Sequence, residues 1–246
     1  MKTAVILVAG MGTRLRGITN DEIPKPFLTI NGLSLIERSI EKLLDSGIKK
    51  IILVTGHLDY FFEPLKKKYS SVVTIKNSNY ANTSSMGSFY CAKELIGDED
   101  ILLLEGDLIY EKNCLDILIT SPEKDTILLS EDKKMSDDYY YEIIDNSIGK
   151  LTFNLFEIKG EYGELTGLQK LSNELCQLMF KKYEDEKNLK LGYEYCIEKI
   201  AKERRIFCKR VDGIIWSEID DEFQLNRVME TIYPKFCLLY TSDAAD

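Results

Sequence analysis

The most constraining feature of the sequence is its opening stretch, in which an apolar run from Val5 to Val8 leads into Gly10-Met11-Gly12-Thr13-Arg14. A short apolar run of this kind predicts a buried β-strand. The two glycines allow a tight turn and leave backbone N–H groups bare, while Arg14 and Lys25 bring cations close to them. The stretch therefore predicts a phosphate site at the carboxyl end of a first strand.

The composition limits the partners that this chain can have. Its 246 residues suffice for a large core. The formal net charge of −9 argues against nucleic acid as a partner, because binding a polyanion requires a basic face. We also expect no membrane partner, because no window of the sequence approaches the ~20 apolar residues of a membrane span. The short apolar run near the N-terminus ends in Gly-x-Gly rather than at a cleavage site, so we do not interpret it as a signal peptide.

The cysteines and the histidine restrict the chemistry. Six cysteines are scattered without Cys-x-x-Cys pairing, which is typical of reduced thiols in a cytoplasmic protein. His57 is the only histidine of the sequence, and we expect it to be a turn residue. A histidine-based triad or a common zinc site is therefore disfavoured, and carboxylates must bind any metal.

The last ten residues, 237–246, match the translation of a common transposase sequencing adaptor. We expect them to be a library artefact rather than native protein. Without Asp243 and Asp246 the formal net charge changes from −9 to −7. The alternative is a genuine frayed tail.

The spacing of apolar residues predicts alternating strands and helices. Strands are predicted at 50–55, 72–75, 101–104, 126–130, 167–171 and 205–211, a hairpin at 139–144 and 148–157, and helices at 33–46, 58–69, 84–95, 175–183, 193–201 and from about 221 to 232. Strands that are apolar throughout favour a parallel sheet covered on both faces, and hence an α/β fold. We predict one domain over residues 1–236, with a nucleotide-binding half up to about residue 120 and a β-rich acceptor lobe within residues 121–236.

Two aspartates stand where strands of such a sheet end. Asp107 follows the strand at 101–104, and Asp220 follows the late apolar segment around Trp216. Ligands of parallel sheets bind beyond the carboxyl ends of the strands, so both aspartates can reach the glycine loop. Two carboxylates without histidine suit Mg²⁺, and phosphate oxygens complete its ligand set. The alternatives are helix caps, for Asp107 near Lys112 and for Asp220, with Asp221 as the substitute ligand.

Longer motifs resemble a known family. The stretch from Leu7 to Leu15 with Pro24-Lys25-Pro26 resembles the signature of the sugar-nucleotidyltransferase superfamily. Asn82-Thr83-Ser84 with Ser88, the stretch 163–171 and Trp216-Ser-Glu-Ile-Asp220-Asp-Glu resemble its phosphocholine cytidylyltransferase-like branch, which includes enzymes acting on 2-aminoethylphosphonate. The resemblance covers residues 1–236 and implies a Rossmann-like mixed, mostly parallel sheet.

The resemblance also implies roles for individual residues. Arg14 would neutralise the departing β- and γ-phosphates, and Lys25 would lie between the α-phosphate and the incoming phosphate. Asp107 and Asp220 would bind Mg²⁺. The nucleotide would contact Ala9, Gly10, Gly12, Thr13, Asn82, Ser84 and Ser88. This sequence departs from the branch in having Ser84 where asparagine is common and Gly17 where proline is common.

The acceptor site is expected in the second half of the chain. The run Tyr139-Tyr140-Tyr141, with Tyr162 and Trp216, can form an aromatic face suited to a quaternary ammonium. Glu161 and Glu164 suit an amine. Ordinary packing is the alternative for the tyrosines, and a surface position is the alternative for Glu164.

The predicted activity is transfer of a nucleotidyl group, CMP from CTP, to a phosphocholine-like phosphate or phosphonate. The alternative enzyme is a sugar-1-phosphate nucleotidyltransferase. A catalytically silent nucleotide-sensing subunit is disfavoured, because Arg14, Lys25, Asp107 and Asp220 are all present. A homodimer is left open.

Overall fold

The computed structural model describes residues 1–131 and 139–236. The predicted artefact at 237–246 lies outside the described residues. Within the described ranges, none of the helices combines the length and the apolar character that crossing a membrane requires.

The strands agree with most of the predicted positions. In chain order they are β1 (Thr3–Val8), β2 (Thr29–Ile30), β3 (Leu33–Ser34), β4 (Lys50–Thr55), β5 (Val72–Lys76), β6 (Ile101–Glu105), β7 (Leu108–Tyr110), β8 (Thr126–Ser130), β9 (Tyr140–Ile144), β10 (Ser147–Thr152), β11 (Glu161–Leu171), β12 (Phe207–Arg210) and β13 (Trp216–Glu218). The predicted strand at 167–171 is too short, because β11 continues back to Glu161.

The helices follow the amphipathic segments. They are α1 (Arg16–Thr19), α2 (Leu35–Asp45), α3 (Glu63–Lys68), α4 (Ser85–Cys91), α5 (Lys93–Ile96), α6 (Lys112–Thr120), α7 (Asn173–Glu186), α8 (Tyr193–Ala201) and α9 (Glu222–Arg227). The predicted helix at 58–69 begins later than expected, since Asp59–Phe62 forms a 3₁₀ turn before α3. The predicted last helix continues past α9 as a π-helical turn, Val228–Ile232.

Nine strands form one sheet in the order β5-β4-β1-β6-β11-β8-β12-β10-β9. The ladders among β5, β4, β1 and β6 are parallel. The carboxyl ends of these strands consequently lie at one edge, as in other open α/β sheets. The predicted α/β fold with a Rossmann-like mixed sheet is confirmed.

The second half of the sheet is mostly antiparallel. The strand β11 runs against β6, β8 and β9, while β12 is parallel to β8. Asp145 and Asn146, both with positive φ, form the turn of the β9–β10 hairpin. The division of residues 1–236 into two halves stays a prediction.

Two hydrophobic clusters cover the faces of the sheet. Along β1, Val5 faces one cluster with α4, α7 and α8, and Ile6 faces the other with α2 and α6. Successive side chains of a strand point to opposite faces, so a strand covered on both sides is apolar at every position. This explains the continuous apolar run with which the sequence begins.

Candidate functional site

The turn after β1 provides the first wall of the site. Gly12 has a φ of +60°, which a side chain with a Cβ adopts only with strain. In this conformation Gly12 lies beside Lys25: a Cβ atom on residue 12 would be 3.4 Å from Lys25 Cβ. The glycine loop and the Pro24-Lys25-Pro26 segment are thus in contact.

A cavity of about 390 Å³ opens beyond the carboxyl ends of β1 and β6. Its lining includes most of the predicted nucleotide-binding residues: Ala9, Gly10, Gly12, Thr13, Ser84 and Ser88. Arg14, Lys25, Asp107 and Asp220 also line it. The structure therefore brings together in one cavity residues that are more than 200 positions apart in the sequence.

Asn82 lies elsewhere. It is exposed, and its side-chain N–H group donates to Oδ1 of Asn79 at 2.8 Å. It does not line the cavity, whereas Tyr80 and Thr83 on either side of it do. The segment is a turn, and within a turn the sequence does not indicate which side chains point inward.

Buried Asn77 holds this turn against α4. Its side-chain amide donates to the hydroxyl oxygens of Thr83 at 2.8 Å and Ser88 at 3.1 Å. The bonds satisfy a buried polar group and fix two hydroxyl-bearing residues at the cavity.

Lys25 joins the two aspartates. Its Nζ lies 2.5 Å from Asp107 Oδ2 and also contacts Asp220. The other oxygen of the Asp220 carboxylate lies 2.5 Å from the Arg14 guanidinium. The side chain of Lys25 is 10% exposed, so this ion pair is largely shielded from water.

The electrostatics of the cluster keep both partners charged. Burial works against the charge of Lys25, but Asp107 and Asp220 outweigh it and raise the pKa of the ammonium above its ordinary value. Burial likewise works against the charge of Asp220, and Lys25 outweighs it, so the pKa of Asp220 is lowered.

Neither aspartate is a helix cap. The N-cap of α9 is Asp221, whose Oδ1 accepts from the backbone N–H of Gln224 at 2.8 Å. The residue before α6 is Glu111. Asp220 is brought to Asp107 by β13, which pairs antiparallel with β7 and places Glu218 opposite Leu108.

Two glutamates accompany the aspartates. Glu105, Asp107 and Glu218 each offer a carboxylate oxygen, and these atoms lie within 4.8 Å of one another. Burial and the neighbouring charge of Asp107 raise the pKa of Glu105 to about 8, and the same causes raise the pKa of Glu218 well above its ordinary value. The sequence predicts no role for either glutamate.

These carboxylates fit a divalent cation. Asp107 Oδ1 is buried and has no hydrogen-bond partner among the described residues. A carboxylate oxygen in that state is costly unless a cation or donor reaches it, and hard oxygen ligands are those that Mg²⁺ prefers. The two glutamates lie next to Asp107, whereas Asp220 is paired with Lys25 and Arg14. The metal role of Asp107 and Asp220 stays a prediction.

Glu105 is held in place by side chains behind it. The Tyr193 hydroxyl donates to Glu105 Oε1 at 2.7 Å and accepts from the Gln169 side-chain amide at 2.9 Å. Gly167 in β11 has a φ of +73°, and a Cβ there would lie 2.7 Å from Glu105 Oε2. The irregularity of β11 at this glycine therefore makes room for the carboxylate.

A second cavity of about 260 Å³ adjoins the first and shares Arg14, Glu105, Glu218 and Asp220 with it. Two predicted acceptor residues, Glu164 and Trp216, line this second cavity. The rest of its lining includes Tyr139, which belongs to the predicted aromatic face, and Glu194, Gln224 and Arg227, for which the sequence predicts no role. No sequence motif identifies Glu194 or Arg227 as a site residue. They lie on α8 and α9, which only the folded structure brings to the site.

Tyr141 does not line either cavity. It is fully buried, and its hydroxyl donates to the backbone carbonyl of Glu194 at 2.6 Å. Tyr139 is two positions earlier and on the same face, but it precedes β9 and reaches the second cavity. Tyr141 is therefore a packing residue, which was the alternative for the tyrosines. Its position along the strand places it deeper in the protein than Tyr139.

Comparison with known proteins places this arrangement in a family. The model of the nucleotidyl transferase family matches residues 3–140, more than half of the chain. The chain belongs to the nucleotidyl transferase family.

Two curated relatives are cytidylyltransferases. The chain is 33% identical over 106 residues to the 2-aminoethylphosphonate cytidylyltransferase of Lancefieldella rimae, a match covering 43% of this chain and 43% of the relative. It therefore spans less than half of that relative's length. It is 27% identical over 253 residues to the CTP:phosphoglutamine cytidylyltransferase of Campylobacter jejuni, covering 88% of this chain and 95% of the relative.

The fold is also that of a solved cytidylyltransferase. The structure of the CTP:phosphocholine cytidylyltransferase of Streptococcus pneumoniae superposes with a TM-score of 0.76 at 22% identity, covering 94% of this chain and 99% of the other. At this identity the likeness concerns the fold alone.

Proposed function

We propose that the protein is a Mg²⁺-dependent cytidylyltransferase. It transfers CMP from CTP to a small phosphorylated or phosphonate acceptor with an amino group, and it releases pyrophosphate. The observation that carries this proposal is the second cavity, whose described lining residues include four glutamates and Asp220, the partner of Lys25. The activities after which the two relatives are named support CTP as the donor.

The residues of the first cavity would bind the triphosphate. Backbone N–H groups around Gly10 and Gly12 and the Arg14 guanidinium would neutralise the β- and γ-phosphates, which leave as pyrophosphate. The Lys25 ammonium lines the first cavity and is paired with Asp220, which lines both cavities. From there it would reduce the repulsion between the α-phosphate and the acceptor anion. Asp107, with Asp220 and the adjacent glutamates, would hold Mg²⁺, which supplies further charge neutralisation when bound.

The reaction needs no covalent enzyme intermediate. An oxygen of the acceptor phosphate or phosphonate is already an anion, so it attacks the α-phosphorus directly. A new P–O bond forms opposite the leaving group, and the bond to the β-phosphate oxygen breaks. The protein then contributes alignment of the two anions and neutralisation of their charge.

The alternative acceptor, a sugar 1-phosphate, is supported less well. A site for sugar hydroxyls is expected to include asparagine, glutamate and lysine side chains. The described residues lining the second cavity include glutamates but neither asparagine nor lysine. Their carboxylates instead suit an acceptor that carries a positive charge.

The proposal includes a cytoplasmic location, which agrees with the absence of disulfides among the described cysteines 91, 114, 176, 196 and 208. A homodimer stays open.

The test is pyrophosphate release from each of the four NTPs with phosphocholine, phosphoethanolamine, 2-aminoethylphosphonate and glucose 1-phosphate. We expect turnover with CTP and amino acceptors. Turnover with the hexose 1-phosphate alone would refute the amino-acceptor proposal, and no turnover with any pair would refute the proposed activity.

A further inference from the structure

We propose that the acceptor carries a carboxylate as well as an ammonium group, with Arg227 binding the carboxylate and Glu164 and Glu194 binding the ammonium. This inference rests on the proposed function and specifies its acceptor as a phosphorylated amino acid or a close analogue.

Arg227 is the last residue of α9. It lines the second cavity, and its guanidinium donates to the Ser217 hydroxyl at 3.3 Å. Within residues 1–131 and 139–236 it forms no ion pair, although the same cavity is lined by several glutamates. Arg14, the other arginine of this cavity, is held by Asp220.

A guanidinium with this placement suits a ligand carboxylate. Its planar array of donors matches the two oxygens of a carboxylate, which a lysine does not. An acceptor whose only charge besides the phosphate is an ammonium gains nothing from an arginine near that ammonium, because like charges repel. The presence of Arg227 is explained if the acceptor brings a second negative group to this cavity.

Glu164 and Glu194 would bind the positively charged ammonium of the acceptor. They are 3% and 8% exposed, and they belong to different elements, β11 and α8. The Ser85 hydroxyl donates to Glu194 Oε2 at 3.2 Å, and the same oxygen of Ser85 accepts from the Tyr193 backbone N–H at 2.9 Å. An ammonium suits two buried carboxylates, because it neutralises their charge and also donates hydrogen bonds.

A quaternary ammonium fits these surroundings less well, since it has no N–H donor and relies on open aromatic faces. The two aromatic residues of the cavity are already packed. The ring of Tyr139 lies 4.0 Å from the ring of Phe153, centroid to centroid, and Trp216 is 3% exposed. The lining therefore favours a primary amine over a trimethylated one.

A different role for Arg227 would be to hold the phosphate of the acceptor. The two roles differ in their consequences. If Arg227 binds the phosphate, every acceptor depends on it equally. If it binds a carboxylate, only acceptors that have one depend on it strongly.

The experiment compares O-phosphoserine with phosphoethanolamine, which differ by the α-carboxylate alone. Pyrophosphate release is measured with saturating CTP and Mg²⁺ for wild type, Arg227→Met, Arg227→Lys and Glu194→Gln. Lys202→Met is the matched control, because it removes a positive charge from an exposed side chain that lines neither cavity.

For the wild type we expect kcat/KM at least tenfold higher with O-phosphoserine than with phosphoethanolamine, and higher with phosphoethanolamine than with phosphocholine. Arg227→Met should lower that preference by about 10- to 100-fold, the range for loss of a charge-assisted hydrogen bond. Arg227→Lys should keep part of it. Glu194→Gln should reduce kcat/KM for both amino acceptors alike, and Lys202→Met should leave the preference as in the wild type.

Equal turnover of the two acceptors by the wild type would overturn the proposal while leaving the cytidylyltransferase activity in place. So would an equal loss for both acceptors in Arg227→Met, which would assign that arginine to the phosphate. Unchanged kinetics in Glu194→Gln would refute the assignment of the ammonium to that residue. Absence of turnover with every acceptor and every NTP would refute the proposed function itself, and this inference with it.

Discussion

The Lys25 ammonium lies 2.5 Å from Oδ2 of Asp107, a carboxylate 82 positions later in the chain. The same ammonium contacts Asp220, which is 195 positions away from it. One buried cation thus joins the loop after β1 to the turns that follow β6 and β13. In the absence of a bound cation, Lys25 balances the two carboxylates that are expected to bind Mg²⁺.

Replacing Lys25 by methionine should destabilise the metal-free protein by about 3–5 kcal/mol, because it leaves Asp107 and Asp220 buried without their main partner. Mg²⁺ should restore part of that loss, and it should stabilise the variant more than it stabilises the wild type. Urea denaturation in EDTA and in Mg²⁺ measures both effects. The control is Lys112→Met, which removes an exposed lysine paired with Asp116. Equal stability of Lys25→Met and wild type in EDTA would contradict the structural role given to the ion pair.

Asp107→Asn tests the assignment of the metal. The substitution preserves the volume of the side chain but removes the charge of the carboxylate whose Oδ1 is buried without a described partner. We expect kcat to fall about 100-fold or more and the Mg²⁺ concentration for half-maximal rate to rise. Mn²⁺ binding followed by electron paramagnetic resonance gives a readout independent of turnover. Asp116→Asn, on the exposed face of α6, should change neither quantity. A normal Mg²⁺ dependence in Asp107→Asn would assign the metal to other residues.

Gly167→Ala should disturb the site through the backbone of β11. The new methyl group would lie 2.7 Å from Glu105 Oε2, at a φ of +73° that alanine adopts with strain. We expect a loss of about 1–3 kcal/mol in stability together with reduced turnover. Gly213→Ala is the matched control, because Gly213 has a φ of +79° and open space around it. It should lose stability but keep its kcat. Equal effects of the two variants on turnover would show that Gly167 acts on the backbone alone.

The largely buried ammonium of Lys42 makes the free energy of unfolding depend on pH. Burial, and after it the positive charge of Arg38, lowers the pKa of Lys42 from 10.5 to about 8. A lysine whose folded-state pKa is below its unfolded-state value opposes folding fully below pH 8, and this opposition is lost as the pH rises from 8 to 10.5. Lys42→Met should therefore be more stable than the wild type by about 1–3 kcal/mol at pH 7, with the difference decreasing by pH 9.5.

Urea denaturation at the two pH values tests this expectation, with Lys49→Met as a control at an exposed position. A difference between Lys42→Met and wild type that stays constant from pH 7 to 9.5 would refute it. The ring of Tyr110 lies 5.1 Å from Lys42 Nζ, and the loss of this cation–π contact reduces the gain expected at pH 7.

Much of the first cavity could be predicted because its signals are local. The apolar run of β1, the glycines after it and Asp107 after β6 stand at the ends of parallel strands, which bring such ends to one edge. Asp220 reaches the same edge by another route, because β13 lies outside the nine-stranded sheet and pairs antiparallel with β7. Strands such as β4 and β8 were predicted at their observed bounds for the same reason, since buried strands are apolar throughout. These inferences need only the spacing of apolar residues in the sequence and the order of the strands in the sheet.

The rest depends on contacts that no local pattern encodes. Tyr139 and Tyr141 share a face, but Tyr139 lines the second cavity, whereas Tyr141 is buried against α8 and bonded to the Glu194 carbonyl. The spacing of the two tyrosines in the sequence does not distinguish them. Asn82 points away from the site because its turn is tied by Asn79. Arg227 reaches the second cavity only because α9 packs beside β13, so sequence alone gives it no distinction from a surface arginine.

The most direct test of the central claim is transfer of the label from [α-³²P]CTP. With Mg²⁺ and an amino acceptor phosphate, the wild type should place the label in a product containing CMP joined to the acceptor, with one pyrophosphate released per product. Lys25→Ala should form neither product, while its circular dichroism spectrum in Mg²⁺ stays that of the wild type. Near-normal label transfer by Lys25→Ala, or transfer by the wild type only from another nucleotide to a sugar 1-phosphate, would contradict the account.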